Sequence, residues 1–351
     1  MFRVLPVHCR CNLNLQANRK SLQVTQSAHT SLWPQKDNIV QILAIGEILW
    51  DVFDHAEFLG GAPLNFSAAA QRLGNSVTLI TAVGDDQRGM RAIESMAALG
   101  LSTDFAQVLP GKDTGTAVVT TDDRGNASYF IKRPAVFDEF ELDDARLSAL
   151  EALHPDWLYF GTLAQTNRPT EEILHRIPKR VPSIQCFYDM NLRQGHWNLS
   201  LVERLSRLAA IVKLNDSEAE ILFRLSCPGE HFSLERFCRR WSETYDVKTI
   251  CVTLGGEGCA ILKDNLFQRF DGFKITVADT VGAGDAFAAA FLHGYGLGLP
   301  VASIATFANA LGALVASRPG ATPPWTVEEC KALIAQQNTE NSSRISGSGG
   351  Q

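Results

Sequence analysis

From residue 39 onward, short apolar runs alternate with segments in which apolar residues recur at helical spacing. Strand-like runs fall at 39–45, 77–83, 157–160, 184–188, 211–214 and 249–254. Helical patterns occupy 63–73, 89–99, 201–209, 217–222, 232–245, 286–295 and 301–317. Such alternation predicts an α/β fold of three layers, a central, mostly parallel sheet covered by helices on both faces. One section breaks the pattern. Residues 116–121 and 127–131 alternate with period two around Asp122-Asp123-Arg124-Gly125-Asn126, which reads as a hairpin. Paired with 48–58, it would form a small β lid over the mouth of a site. No internal repeat is present, so a second catalytic module is not expected.

Composition narrows the function. The 351 residues carry 32 Lys and Arg against 38 Asp and Glu, a formal charge of -6 that offers no basic surface for nucleic acid. Small-molecule chemistry is the better expectation. The eight cysteines are scattered, only Cys9 and Cys11 lie close together, and neither a zinc site nor a disulfide framework is indicated. No run is long and apolar enough for a membrane span. Residues 1–38 hold Arg3, Arg10, Arg19, Lys20 and Lys36 with no acid before Asp37. Such a leader reads as a disordered arm or the product of an upstream start codon, with an organelle transit peptide as the third reading. The cytoplasm is otherwise expected. The main domain is expected at 39–335, with its lid from about 48–60 and 112–134, and the Ser-, Gly- and Asn-rich segment 336–351 as a disordered tail.

The chemistry concentrates in Asp279-Thr-Val-Gly-Ala-Gly-Asp285, which precedes an apolar helical run. Glycines at a helix start let an anion approach unpaired backbone N–H groups, and a carboxylate beside them is a potential base. The other reading is a tight turn with Asp285 as helix N-cap. Neither a G-x-x-x-x-G-K-[ST] loop nor a G-x-G-x-x-G after the first strand is present, so a nucleotide would have to be held in another way.

Leu59-Gly-Gly-Ala-Pro-Leu-Asn65 with Val83-Gly-Asp-Asp-Gln-Arg-Gly89, and the later Asp279 to Asp285 segment, resemble the two signatures of the ribokinase-like (PfkB) carbohydrate kinases. The likeness spans roughly residues 40–330. It is nearest to the fructokinase and 2-keto-3-deoxygluconate kinase branch, through Asp189-Met-Asn-Leu-Arg193, Trp197 and Arg133. The resemblance implies a ribokinase-like fold and an ATP-dependent transfer to a primary hydroxyl of a small sugar, fructose first. 2-Keto-3-deoxygluconate, a nucleoside, or a non-catalytic sugar- or nucleotide-binding role are the alternatives.

It also implies roles. Asp285 would be the base, and Gly282, Ala283 and Gly284 the anion hole. Asp51, Gly60, Gly61, Asn65, Arg133 and Arg193 would meet the sugar. Thr253, Gly255, Gly258, Asn215 and Asn309 would face the nucleotide, with Glu218 holding Mg2+ through water and Asp279 beside a possible K+. Plainer readings stand next to these: an N-cap for Asn215, a lid-to-body ion pair for Arg133, a pair with Asp189 for Arg193 and a solvated helix position for Asn309. Arg88, where relatives often carry an apolar aromatic, departs from the pattern and leaves local packing open. Lids of the family often pair, which makes a homodimer through the lid a further expectation.

Overall fold

The computed structural model describes residues 39–121 and 127–347. The leader at 1–38 and the hairpin turn at 122–126 lie outside the described residues. The chain begins with β1 (Gln41–Ile45), β2 (Leu49–Val52), β3 (Glu57–Gly60), α1 (Ala62–Arg72), β4 (Ser76–Gly84), α2 (Gln87–Ala98) and β5 (Ala106–Leu109). The hairpin strands are β6 (Thr116–Thr121) and β7 (Ala127–Ile131). Then come α3 (Asp144–Glu151), β8 (Trp157–Gly161), α4 (Arg168–Arg180), β9 (Gln185–Asp189), α5 (Leu199–Ser206), β10 (Ile211–Asn215) and α6 (Asp216–Ser226). The last part holds α7 (Leu234–Tyr245), β11 (Thr249–Thr253), β12 (Gly258–Lys263), β13 (Leu266–Asp271), α8 (Ala283–Gly296), α9 (Val301–Ala316) and α10 (Val327–Gly347).

Nine strands form the main sheet in the order β13-β12-β11-β10-β9-β8-β1-β4-β5. Neighbouring strands are parallel from β11 to β5, while β12 is antiparallel to both β11 and β13, so that β12 alone runs against the rest. Strands covered on both faces read as continuous apolar runs, and every residue of Trp157–Gly161 is buried. From β1 the chain builds outward to β4 and β5, then returns to lay β8 against the other side of β1. At such a switch point the connections part, and the carboxyl ends of the strands flank a crevice suited to ligands.

A second sheet, β3-β2-β6-β7, stands apart from the first. The pairing expected between 48–58 and the hairpin occurs as the parallel register of Trp50, Asp51 and Val52 on Thr116, Ala117 and Val118. Arg88 finds its explanation here: it and Arg91 both pair with Glu57 of β3, and Arg91 lies 4.1 Å over the Trp50 ring. The departure from an aromatic thus ties α2 to the small sheet.

Several elements differ from expectation. The edge strands β5 and β13 carry mostly half-buried or exposed residues, so they lack the apolar run that marks an interior strand. Helix α4 hides its narrow stripe, Ile173, Leu174 and Ile177, among charges. The segment from 336, expected as a disordered tail, instead continues α10 to Gly347. Extending a helix already nucleated costs far less than starting one, and no proline interrupts this stretch.

Candidate active site

One side of the candidate site forms where α8 begins. Gly282 is the N-cap with φ +76°, and a Cβ there would lie 2.1 Å from the Ala321 carbonyl oxygen, so only glycine fits both the backbone and the space. Asp285 therefore stands inside the first turn and is not the N-cap, because the left-handed Gly282 starts the helix earlier than the apolar run suggests. Ala283, Gly284 and Asp285 are the first helical residues, whose N–H groups have no acceptor within the helix. Helix α8 is buried from Asp285 to Gly294, which holds its N-terminus rigidly at the crevice. The Asp285 carboxylate is 8% exposed and accepts a hydrogen bond from Asn65 Nδ2 at 2.8 Å. Burial, reinforced by the charge of Asp189, raises it to about 6 against the opposing influence of Lys213, Asn65 and Arg193.

Below this turn lies a buried ion pair. Lys213 Nζ donates to both carboxylate oxygens of Asp189, at 2.9 and 3.0 Å, and the Tyr159 hydroxyl donates to Asp189 Oδ2 at 3.0 Å. Lys213 Nζ would be 3.5 Å from a Cβ built on Gly284. A cation thus underlies the start of α8.

Facing Asp285 is a cavity of about 250 Å³. Asp51, Gly61, Asn65 and Arg193 line it together with Gly282, Gly284 and Asp285. Residues of the small sheet, Leu49, Ala117 and Ile131, close one side. Gly61 has φ +116°, and a Cβ on it would meet the Glu47 carbonyl oxygen at 2.4 Å. Gly60 does not line the cavity but leaves room for Asp51, whose Oδ2 would be 2.8 Å from a Cβ at that position. Burial raises the Asp51 carboxyl to about 6, with Arg193 opposing. Two groups that the sequence reading passed over belong to the wall, Glu47 and Asn191. Glu47 Oε2, Asn65 Oδ1 and Asn191 Nδ2 are buried there with no hydrogen-bond partner among the described residues. Unpaired buried polar atoms are costly, and three on one small wall mark a surface complementary to a hydroxyl-rich molecule.

The family model for pfkB carbohydrate kinases matches residues 38–328. The chain belongs to that family. A fructokinase of Vibrio alginolyticus is 27% identical over 300 residues, which cover 80% of this chain and 94% of the relative. Among solved structures, a fructokinase of Xylella fastidiosa with bound ATP superposes with a TM-score of 0.74 at 24% identity, covering 85% of this chain and 98% of that one. A double-mutant fructokinase of Vibrio cholerae O395 bound to fructose, ADP and potassium ion gives 0.72 at 23%, covering 86% and 100%. These likenesses place the chain in the ribokinase fold, and the family makes it a phosphotransferase acting on a hydroxyl of a sugar.

In this kinase the remaining predicted residues fall into place unevenly. Asn215 and Glu218 form a reciprocal capping box on α6, Asn215 Oδ1 accepting from the Glu218 amide at 2.8 Å and Glu218 Oε2 from the Asn215 amide at 2.9 Å. The other oxygen of Glu218 accepts from the Leu192 amide at 2.7 Å. Burial raises the Glu218 carboxyl above its ordinary range despite these bonds and Lys213. Thr253 ends β11, and Gly255 and Gly258 take up the turn to β12 with φ +57° and +103°. None of these lines the cavity that faces Asp285. Asn309 does not lie at a solvated position: it is 7% exposed on α9 and donates to the Asp271 carbonyl at 3.2 Å, pinning the end of β13. Asp279 accepts from the amides of Val281 and Gly320, both at 3.0 Å, and so joins the loop before α8 to the loop after α9.

Arg133 is placed differently from the expectation of a sugar contact. It pairs with Asp138, donates to the Leu163 carbonyl at 3.0 Å and to Thr166 Oγ1 at 2.6 Å, and faces a neighbouring groove. Asp138 is only 1% exposed and needs a counter-charge, which fixes the arginine away from the cavity. Arg193, exposed at the rim, makes no pair with Asp189, which is taken by Lys213. The missed residues did leave a signal. Lys213 is a lone charge within the apolar strand β10 and Glu47 one in the apolar stretch just after β1, where a buried charge is rarely tolerated without a task or a partner.

Proposed function

We propose that this kinase transfers the terminal phosphoryl group of ATP to a primary hydroxyl of a small neutral sugar, with fructose the first choice. The observation that carries the reading is the cavity whose unpartnered polar atoms converge on Asp285 at the start of α8. Its volume lies below the roughly 300–1,000 Å³ of pockets for drug-sized ligands, as suits a monosaccharide. Asp51, Asn65 and Asn191 would accept from and donate to neighbouring hydroxyls. Asp285 would take the hydroxyl proton as the oxygen attacks the terminal phosphorus and the bond to the ADP oxygen breaks. The first amides of α8 would hold the charge that spreads over the phosphoryl oxygens.

ATP would lie toward Thr253, Gly255 and Gly258, where strand ends and glycine turns leave backbone amides accessible, with Asn215 at the phosphates. Among the described residues no three His, Cys, Asp or Glu side chains form a metal cage. Both Glu218 oxygens already accept backbone bonds, a donor set that fits Mg2+ held through water and phosphate. Such an ion would neutralise phosphate charge. The loops joined by Asp279 suit a monovalent cation bound by carbonyls.

Val118 and Phe130, paired across the hairpin, are exposed while their neighbours Ala117 and Ile131 line the cavity, which supports a homodimer formed through the small sheet. The six cysteines among the described residues are buried and free, in keeping with a reducing cytoplasm. Arg193 favours 2-keto-3-deoxygluconate as the second reading, since a guanidinium matches a carboxylate.

The test is ADP release with Mg-ATP over neutral ketoses and aldoses, sugar acids and nucleosides. Fructose is expected to give the highest kcat/KM. A sugar acid or a nucleoside in first place would replace fructose, and ATP-independent sugar binding without turnover would point to a regulator. Gly60→Ala adds a local check. It is expected to raise the sugar KM by about tenfold, the worth of one displaced hydrogen bond, with kcat nearly kept, because its Cβ pushes the Asp51 carboxylate aside. An unchanged sugar KM would free Asp51 from its role.

A further inference from the structure

Glu47 is the one carboxylate of the cavity wall with no part in the reaction described above. It follows β1, is 6% exposed, and lines the cavity with Asp51 and Asp285. Its Oε2 is buried and unpartnered among the described residues, and the close approach of Gly61 to the Glu47 carbonyl fixes the backbone from which the side chain projects. A carboxyl with a free oxygen on the wall of a sugar-sized cavity is a recognition group awaiting its partner. We infer that Glu47 is a specificity residue of the acceptor pocket, its Oε2 binding a hydroxyl of a neutral sugar and its side chain turning away acceptors that carry a carboxylate. The inference rests on the sugar kinase reading and deepens it.

The charge inventory supports it. Three carboxylates, Glu47, Asp51 and Asp285, line the cavity against one guanidinium, Arg193. The second arginine that would welcome an acid, Arg133, is spent on Asp138. The groups that act on Glu47 are its own backbone amide, Arg193 beyond β9, Asp285 on α8 and Arg133 beyond β7. Burial outweighs them and raises Glu47 to about 7. Below that pH the acid form can donate from Oε2 as well as accept. Above it a fixed negative charge faces the acceptor, so discrimination against acidic sugars should sharpen as pH rises through 7.

The experiment measures kcat/KM for fructose and for 2-keto-3-deoxygluconate between pH 6 and 8, in the wild-type chain, Glu47→Gln and Glu47→Asp. Taking the ratio of the two acceptors cancels the loss of the base Asp285, and comparing wild type with Glu47→Gln separates Glu47 from the charges of Asp51 and Asp285, both raised to about 6 on the same wall. The wild-type ratio is expected to rise by several-fold to about tenfold in favour of fructose across this range. Glu47→Gln should flatten that rise and lower the ratio at pH 8, with an unchanged KM for ATP. Glu47→Asp keeps the charge but withdraws the oxygen, and should keep the pH trend while raising the fructose KM. This second variant also reports if the first does not fold. Glu47→Gln with wild-type fructose KM, ratio and pH trend overturns the inference alone, whereas a wild-type chain that prefers the sugar acid overturns it together with the choice of fructose and leaves the kinase reading standing. A wild-type chain that phosphorylates no sugar overturns the kinase reading and this inference together.

Discussion

Asp285→Asn is expected to lower kcat by about 10²–10⁴-fold, the usual worth of a positioned general base, while the KM for sugar changes little. Asparagine keeps the size of the side chain and can still face Asn65, but it cannot take a proton. The same substitution should stabilise the fold. In the wild type the carboxyl is raised from 3.8 to about 6 by burial, so keeping it ionised in the folded state costs of the order of 3 kcal/mol. The sign follows from the direction of the shift. A raised carboxyl favours the folded state most below its unfolded value and loses that advantage as pH rises through about 6. Urea midpoints of variant and wild type should therefore coincide below pH 4 and separate in favour of the variant by pH 8. In the active enzyme, kcat/KM should fall as pH drops below about 6, where the base is protonated. Retention of more than about a tenth of wild-type turnover would remove Asp285 from the role of base.

Lys213→Met should cost about 3–5 kcal/mol of stability, because it leaves the Asp189 carboxylate buried and unpaired. The two side chains are 5% and 0% exposed, so no water can replace the missing charge. Burial opposes the Lys213 charge, yet Asp189 and Asp285 together hold its pKa above the ordinary lysine range. Since Lys213 also holds down the carboxyl of Asp285, the acid limb of the pH profile should move upward in any folded variant. The double variant Lys213→Met with Asp189→Leu removes both charges and should regain much of the lost stability. Urea unfolding of the two variants separates a paired charge from a packing defect. If the double variant is no more stable than the single one, the pair is not what holds this region.

The interior strands were readable because their burial on both faces demands continuous apolar runs, as in Trp157–Gly161. The edge strands β5 and β13 were not, since one exposed edge relaxes that demand. Gly282, Asp285, Gly61 and Asn65, singled out from two motifs more than 200 positions apart, and Asp51 from its place after the first strand, come together on one cavity, where Asn65 and Asp285 meet across a separation of 220. Glu47 and Lys213 carry no local motif, and Asp189 and Asn191 stand in a motif that says nothing of their partners; the meaning of all four lies in what faces them. Arg133 shows the converse: its place in the chain points to the sugar, and its neighbour Asp138 takes it elsewhere.

Local order in this chain therefore suffices for the strand and helix alternation, the hairpin and the two glycine motifs, because each expresses a constraint between near neighbours. Folding alone decides which polar atoms stay free, which charges neutralise one another and which carboxylates share a cavity. Those outcomes depend on burial and on distances across the sheet, and neither is encoded at any single position.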